Sequence, residues 1–237
     1  WSAAELRQRV PNVIPSAVAT PPFDLRGIDG KLATDASQYP FAEDKARYLG
    51  EAVAVVVAES LAGALDAAEL VQVDYEELRP NVTIEQALDP SAALIWEDED
   101  SNVSIDWRMG DSEKIAGIFD GAAHVVRRDL VNNRVTPAFM EPRAAIASHD
   151  PGDDRLTLRL GCQSVHGMQA GLCQVLDIPA EKLRVIVPDM GGGFGARGGV
   201  YMEYPVLLAA ARELGRPVRW TASRSEGMLT DTQARDH

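Results

Sequence analysis

Cysteine is nearly absent from this chain of 237 residues, which holds only Cys162 and Cys173. The two stand on what reads as one helix face. That placement suits neither a zinc site nor a disulfide scaffold, and a reducing cytoplasmic compartment is expected. Long hydrophobic runs are missing as well: no apolar stretch approaches the roughly 20 residues that cross a bilayer, so no membrane span is expected. Basic charge is scarce. With 23 Lys and Arg against 36 Asp and Glu, the formal net charge is -13, which would repel a phosphate backbone and argues against a nucleic-acid partner. His124, His149, His166 and His237 lack the close spacing of a metal site, and no metal-ligating residue is nominated. No initiator Met or targeting segment opens the chain at Trp1-Ser2-Ala3, and Arg235-Asp236-His237 ends it in an ordered-looking stretch, so it reads as a fragment.

What is present describes a globular protein: 46% hydrophobic and 25% charged residues in a length that suits two domains. Pro11, Pro15, Pro21, Pro22 and Pro40 make residues 1–45 read as irregular connection. The β-branched run Ala52 to Val57 predicts a buried strand. Ser60 then caps an Ala-rich helix reaching about Leu70, and Val71 to Tyr75 predicts a second strand. The acidic run Glu97-Asp98-Glu99-Asp100 reads as an exposed linker rather than a metal site. Beyond it the pattern predicts a helix from Asp111 to Phe119 and strands at His124 to Val131 and Leu156 to Leu160. Val165, Met168, Leu172 and Val175 recur at helical spacing. A strand at Leu183 to Val187 follows, then a helix from Tyr201 to Leu214 stopped by Gly215 and Pro217, and a strand at Val218 to Trp220. The class is mixed α/β (α+β).

Three consecutive glycines, Gly191 to Gly193, open the segment between the 183–187 strand and the next helix. Without Cβ atoms the turn is free to take positive φ and to bring backbone N–H groups against an anionic ligand. Gly193-Phe194-Gly195-Ala196-Arg197-Gly198 also satisfies the dinucleotide pattern G-x-G-x-x-G. An unmodified ribose would want an acidic residue about 20 positions on. Thr221-Ala222-Ser223-Arg224 stands there instead, and Arg224 would suit a phosphorylated ribose, so an NADP-binding module remains open. So does a scaffold with an empty loop. A P-loop is poorly supported, because no Lys-Ser or Lys-Thr follows the glycines.

Asp189-Met190-Gly191-Gly192-Gly193-Phe194-Gly195 resembles a signature of the molybdopterin-binding large subunits of the xanthine dehydrogenase, aldehyde oxidase and carbon monoxide dehydrogenase family. Arg47-Tyr48-Leu49-Gly50-Glu51-Ala52-Val53-Ala54-Val55-Val56 and Ala67 to Glu76 resemble the hammerhead-like α/β domain of the same subunits. Met140-Glu141-Pro142-Arg143, Gln163-Ser164, Leu214 to Trp220 and Arg224-Ser225-Glu226 follow in the family's order. The resemblance implies a partial hammerhead-like domain over residues 1–95, an acidic linker with a short helix over 96–120, and the first part of a molybdenum-cofactor-binding domain over 121–237.

It further implies a molybdenum hydroxylase that oxidises an aldehyde, carbon monoxide or a heterocycle with oxygen from water. The cofactor would be molybdopterin, in its cytosine dinucleotide form, carrying molybdenum. Iron-sulfur clusters on a small subunit and FAD on a medium subunit would receive the electrons, in a dimer of heterotrimers. Gln163 would be the catalytic glutamine that hydrogen-bonds a terminal ligand of molybdenum. Gly192, Gly193, Phe194 and Gly195 would face the cofactor, with Phe194 bordering the substrate channel. Purine-oxidising members carry a glutamate in a Gly-Gly-Lys-Glu run where this chain has Gly195-Ala196-Arg197-Gly198, and the stretch from Gly199 on looks closer to the carbon monoxide dehydrogenase-like branch. The family's catalytic glutamate and its distinguishing cysteine loop would lie beyond His237, so the fragment alone is expected to be inactive. Glu141 reads as structural, and Met140 and Arg143 as shaping the domain. His166 reads as a packing or solvent-facing residue.

Overall fold

The alternation in Arg155-Leu156-Thr157-Leu158-Arg159-Leu160 places three leucines on one face, and in the computed structural model, which describes residues 1–15 and 25–236, all three are buried. Pro21, Pro22 and His237, cited above, lie outside the described residues. The described chain forms two compact units.

The first unit holds Trp1–Pro15, Ser37–Glu77 and Val135–Ala234. In chain order its elements include helix α1 (Ala3–Arg7), helix α2 (Leu61–Ala68), strands β1 (Ala144–Asp150) and β2 (Arg155–Leu160), helix α5 (Val165–Leu176), strand β3 (Leu183–Ile186), helix α6 (Glu203–Leu214), strand β4 (Val218–Thr221) and helix α7 (Arg224–Thr230). The second unit, residues 25–36, 78–134 and 235–236, carries helices α3 (Ile84–Leu88) and α4 (Ser112–Asp120).

The strands form one sheet in the order β3-β2-β1-β4. β1 runs antiparallel to β2 and β4, with Ala147 opposite both Leu158 and Val218, while β2 and β3 are parallel, with Leu158 opposite Val185. Small Ala145 and Ala147 and the β2 leucines turn one face towards α6, which packs across β1, β2 and β4. Residues 204–211 of α6 are all buried, as expected of a helix apolar on every side. Each fully buried leucine contributes about 1.5–3 kcal/mol by leaving water, so this sheet-helix layer holds the unit together. Ser164 caps α5 by accepting from Gly167 N at 3.1 Å, and Gly215 ends α6 in the left-handed region at φ 59°.

Several expectations are corrected. Residues 52–57 form no strand: Ala54 makes one isolated antiparallel bridge with Ser2. Residues 71–75 and 124–131 form no ladder either, and Tyr75, Leu130 and Val131 stand exposed. An alternating pattern specifies which face would be buried but supplies no neighbour, and among the described residues no strand pairs with these segments. The central strand β1 went unread because Ala-Ala-Ile-Ala is poor in β-branched residues. Residues 1–45 are not wholly irregular, since α1 buries Leu6. The sequence signal for α3 and α7 was present: Thr83 with Gln86, and Ser223 with Glu226, are capping boxes. Cys162 precedes α5 and Cys173 lies within it, so they share no helix face; both are free thiols pushed up in pKa by burial.

In the second unit, Asp111 caps α4 through Lys114 N at 2.9 Å, one residue from the predicted start. Asn102 braces the turn after α3, accepting from Ile95 N and donating to Ala93 O. Of the acidic run, Asp100 pairs with Lys31 at 2.7 Å. With the two side chains 88% and 67% exposed, this pair adds little to stability.

Candidate functional site

The glycine-rich loop follows β3 and lies in the first unit. Its shape depends on backbone conformations that side chains resist: φ is 107° at Gly192, 46° at Phe194 and 92° at Gly195. Phe194 is the exception to the glycine rule, and the residue is 78% exposed. An apolar ring held outwards on strained backbone is a feature that core packing does not explain.

Gln163, between β2 and α5, sits against this loop. Its Oε1 accepts from Gly195 N at 3.0 Å and Arg197 N at 3.1 Å, while its own N donates to Arg197 O at 2.9 Å. Two N–H donors on one atom require that atom to be the oxygen, which settles the direction of the amide. Nε2 is therefore the amide's donor end, and no described residue accepts from it. Gly193 is buried flat against the same side chain: a Cβ there would come within 2.9 Å of Gln163 Cγ, Cδ and Oε1. A Cβ on Gly192 would meet Phe139 Cβ at 3.0 Å, whereas a Cβ on Gly195 would meet nothing within 4 Å, so that glycine answers a conformational need alone.

Beneath the loop runs the segment Phe139-Met140-Glu141. Glu141 Oε2 accepts from Gly191 N at 2.5 Å and from Arg197 Nη1 at 2.9 Å, and Arg197 Nη2 donates to Glu141 O. Arg197 is 1% exposed, with its guanidinium 4.2 Å from the centre of the Phe139 ring. Burial alone would raise the Glu141 pKa, but the Gly191 N–H and Arg197 more than offset it, and the net shift is downwards. Arg224 donates to Phe139 O and Met140 O, each at 2.7 Å. Tyr201 OH donates to Ala196 O at 2.6 Å from the other side.

Arg143, in the same run as Glu141, serves a different end of the unit. It is fully buried and bonds Glu203 through both terminal nitrogens, Asp231 through Nε at 2.5 Å and Thr230 Oγ1 at 2.7 Å. It also stacks 3.8 Å from the Tyr201 ring centre. Met140 is exposed and so is His166.

The residues singled out in sequence, Gln163 and Gly192 to Gly195, are thus brought together on one surface. Among the described residues nothing accepts from the N–H of Gly192, Gly193 or Phe194 or from Gln163 Nε2, and unpaired donors of this kind suit an oxygen-rich ligand. Glu141, Arg197 and Tyr201 were missed as parts of this site. Spacing carries no signal for a buried guanidinium fixing a distant loop. Among the described residues no group of three or more His, Cys, Asp and Glu could hold a metal ion. An apolar cavity of about 440 Å³, lined by Phe41, Val55, Val206, Leu207 and Trp220 among others, takes no residue from the loop.

The dinucleotide alternative fits this geometry poorly. β3 ends at Ile186 and α6 starts at Glu203, so Gly193 to Gly198 neither closes the strand nor opens the helix, and Arg224 is committed to two carbonyls.

Fold and site thus define an α+β module whose glycine-rich loop carries unpaired backbone donors, and comparison with known proteins gives the class. Residues 95–237 match the model of the molybdopterin cofactor-binding domain, and residues 10–79 that of the aldehyde oxidase and xanthine dehydrogenase a/b hammerhead domain. The chain belongs to the family of molybdopterin-binding oxidoreductase large subunits that includes xanthine dehydrogenase, aldehyde oxidase and carbon monoxide dehydrogenase.

It is 33% identical over 208 residues to the carbon monoxide dehydrogenase large chain of Hydrogenophaga pseudoflava, covering 83% of this chain and 26% of that one. It is 36% identical over 202 residues to the 6-hydroxypseudooxynicotine dehydrogenase complex subunit gamma of Paenarthrobacter nicotinovorans, covering 85% and 25%. Among solved structures, quinoline 2-oxidoreductase from Pseudomonas putida 86 superposes with a TM-score of 0.87 at 33% identity, covering 100% of this chain and 28% of the other. The chain spans about a quarter of the length of the relatives it matches. The mixed α/β class, with a hammerhead domain and the start of a molybdenum-cofactor-binding domain, agrees with these neighbours. No helix among the described residues is long and apolar enough to cross a membrane.

Proposed function

We propose that this chain is part of the large subunit of a molybdenum hydroxylase, with Gly192, Gly193, Phe194 and Gly195 facing the pterin cofactor and Gln163 acting as its hydrogen-bonding catalytic residue. The observation that carries the reading is the Gln163 amide: its oxygen is held by Gly195 N and Arg197 N, which leaves Nε2 as a donor with no described acceptor. A donor set of one amide and three backbone N–H groups fits the phosphate and pterin oxygens of molybdopterin.

When bound, the cofactor supplies hydroxylation of a carbon centre with oxygen from water and carries away two electrons. The chain's own residues bind and orient. Gln163 Nε2 donates to a terminal ligand of molybdenum, Gly192 to Phe194 donate from the backbone, and the exposed Phe194 ring borders the substrate's approach. No described residue is nominated as the base. The domains follow as residues 1–95 hammerhead-like, 96–120 linker and 121–237 the first part of the cofactor domain.

Further assignments belong to the same proposal: molybdopterin cytosine dinucleotide as the cofactor, an iron-sulfur small subunit and an FAD medium subunit as partners in a dimer of heterotrimers, and a cytoplasmic location. An aldehyde, carbon monoxide or a non-purine heterocycle is the substrate class, since Gly198 offers no carboxylate at the position of the purine-oxidising Gly-Gly-Lys-Glu run. The test is the molybdenum and pterin content of the longest native gene product containing this chain. Both present supports the reading; both absent from a matured complex refutes it.

A further inference from the structure

We propose that Glu141 is a positioning residue: its Oε2 clasps the two ends of the glycine-rich loop, and through the loop it sets the direction of the Gln163 amide. The inference rests on the molybdopterin reading for its catalytic consequence but not for its structural one.

One carboxylate oxygen holds both ends. Oε2 receives Gly191 N at 2.5 Å where the loop begins and Arg197 Nη1 at 2.9 Å where it finishes. Between those ends lie the positive φ values of Gly192, Phe194 and Gly195, conformations that persist only when the surroundings over-determine them. The Arg197 backbone carries the effect onwards: its N–H is one of the two donors on Gln163 Oε1, and its carbonyl accepts from Gln163 N. Opening the clasp therefore loosens, down to its bond with the Glu141 backbone carbonyl, a residue that holds Gln163 through both its N–H and its carbonyl.

Few other side chains share this task. Arg197 has no second carboxylate partner among the described residues, and it lies 1% exposed over the Phe139 ring. Arg224 fixes the brace at Phe139 O and Met140 O, but it does not touch the loop. Tyr201 reaches the loop at Ala196 O and otherwise bonds Thr232. A guanidinium is suited to the site because it reaches Glu141 Oε2 and Glu141 O with separate nitrogens, which a lysine ammonium on a flexible stem does less well.

The experiment compares Glu141→Ala and Glu141→Gln with wild type in the assembled, full-length complex. Amide hydrogen exchange is read at Gly195 and Arg197, and kcat is expressed per bound molybdenum, with KM and the Mo(V) electron paramagnetic resonance spectrum alongside. In Glu141→Ala the two amides exchange about tenfold faster while those of β1 and β2 keep their wild-type protection. Turnover per molybdenum falls about 10- to 100-fold, with KM nearly unchanged and an altered spectrum. Glu141→Gln, which keeps an acceptor for Gly191 N, recovers part of each effect. Unchanged exchange overturns the proposal, as does faster exchange spread evenly over β1 and β2, because Glu141 would then be a general structural residue. Loop exchange that rises with turnover per molybdenum unchanged overturns the link to Gln163. A wild-type complex without molybdenum refutes the proposed function instead, and the exchange data then decide the clasp by themselves.

Discussion

Gln163 and Arg197 hold each other in both directions: Gln163 N donates to Arg197 O at 2.9 Å, and Arg197 N donates to Gln163 Oε1 at 3.1 Å. This reciprocal pair joins the turn before α5 to the far end of the glycine loop. It gives one side chain two tasks, an oxygen that accepts from the loop and a nitrogen left to donate.

The two tasks are separable by substitution. Gln163→Glu keeps an oxygen for Gly195 N and Arg197 N but places a second oxygen where the Nε2 donor stood. Steady-state kinetics of the complete enzyme are predicted to show kcat reduced about 10- to 100-fold, with molybdenum content retained. Full turnover in this variant would show that the amide donor has no catalytic part.

Gly193→Val is predicted to strip the cofactor. The new Cβ would start 2.9 Å from three atoms of Gln163, and the branch adds more bulk, so the amide must leave its place. Elemental analysis is expected to find little molybdenum in a subunit whose sheet still unfolds cooperatively. Normal molybdenum would contradict the placement of Gly193.

Arg143→Leu should destabilise the unit by about 3–5 kcal/mol, the usual result of removing one partner from a buried ionic network. Glu203 and Asp231, whose side chains are 15% and 7% exposed, would keep their charges without the guanidinium between them. Urea denaturation of the purified chain measures the loss. A change below about 1 kcal/mol would mean that the network relaxes at no cost.

Acid should loosen the loop before it unfolds the sheet. The folded pKa of Glu141 lies below its ordinary 4.5, so the carboxylate's contribution is complete above that value and is lost as pH falls through the lower folded pKa. The groups around it are the Arg197 guanidinium and the Gly191 N–H. Amide exchange at Gly191 is predicted to rise below about pH 4.5 in the wild type and to show no such step in Glu141→Gln. A step of equal size in both would remove Glu141 as its source.

Local chemistry was readable in the sequence where it needs no partner. The β2 leucines, the Ser60 cap of α2 and the Gly215 stop of α6 depend on spacing and backbone preference, and all three stand where the pattern puts them. Residues 71–75 and 124–131 carry equally clear strand patterns yet form no ladder, because a strand exists only against a neighbour. β1 is the converse case: Ala145 and Ala147 make a weak strand on propensity, but their small size lets α6 approach the sheet. At the site, the glycines and Gln163 are visible as motif residues. Neither Glu141 nor Arg197 is legible as a site residue, because their pairing spans a separation in the chain that only the fold closes.

The most direct test of the central claim is a high-resolution structure of the assembled complex with its cofactor. The account predicts Gln163 Nε2 within about 2.7–3.2 Å of a terminal ligand of molybdenum, with Oε1 still on Gly195 N and Arg197 N. A Gln163 amide turned away from the metal, or a loop with no cofactor against Gly192 to Gly195, would contradict it.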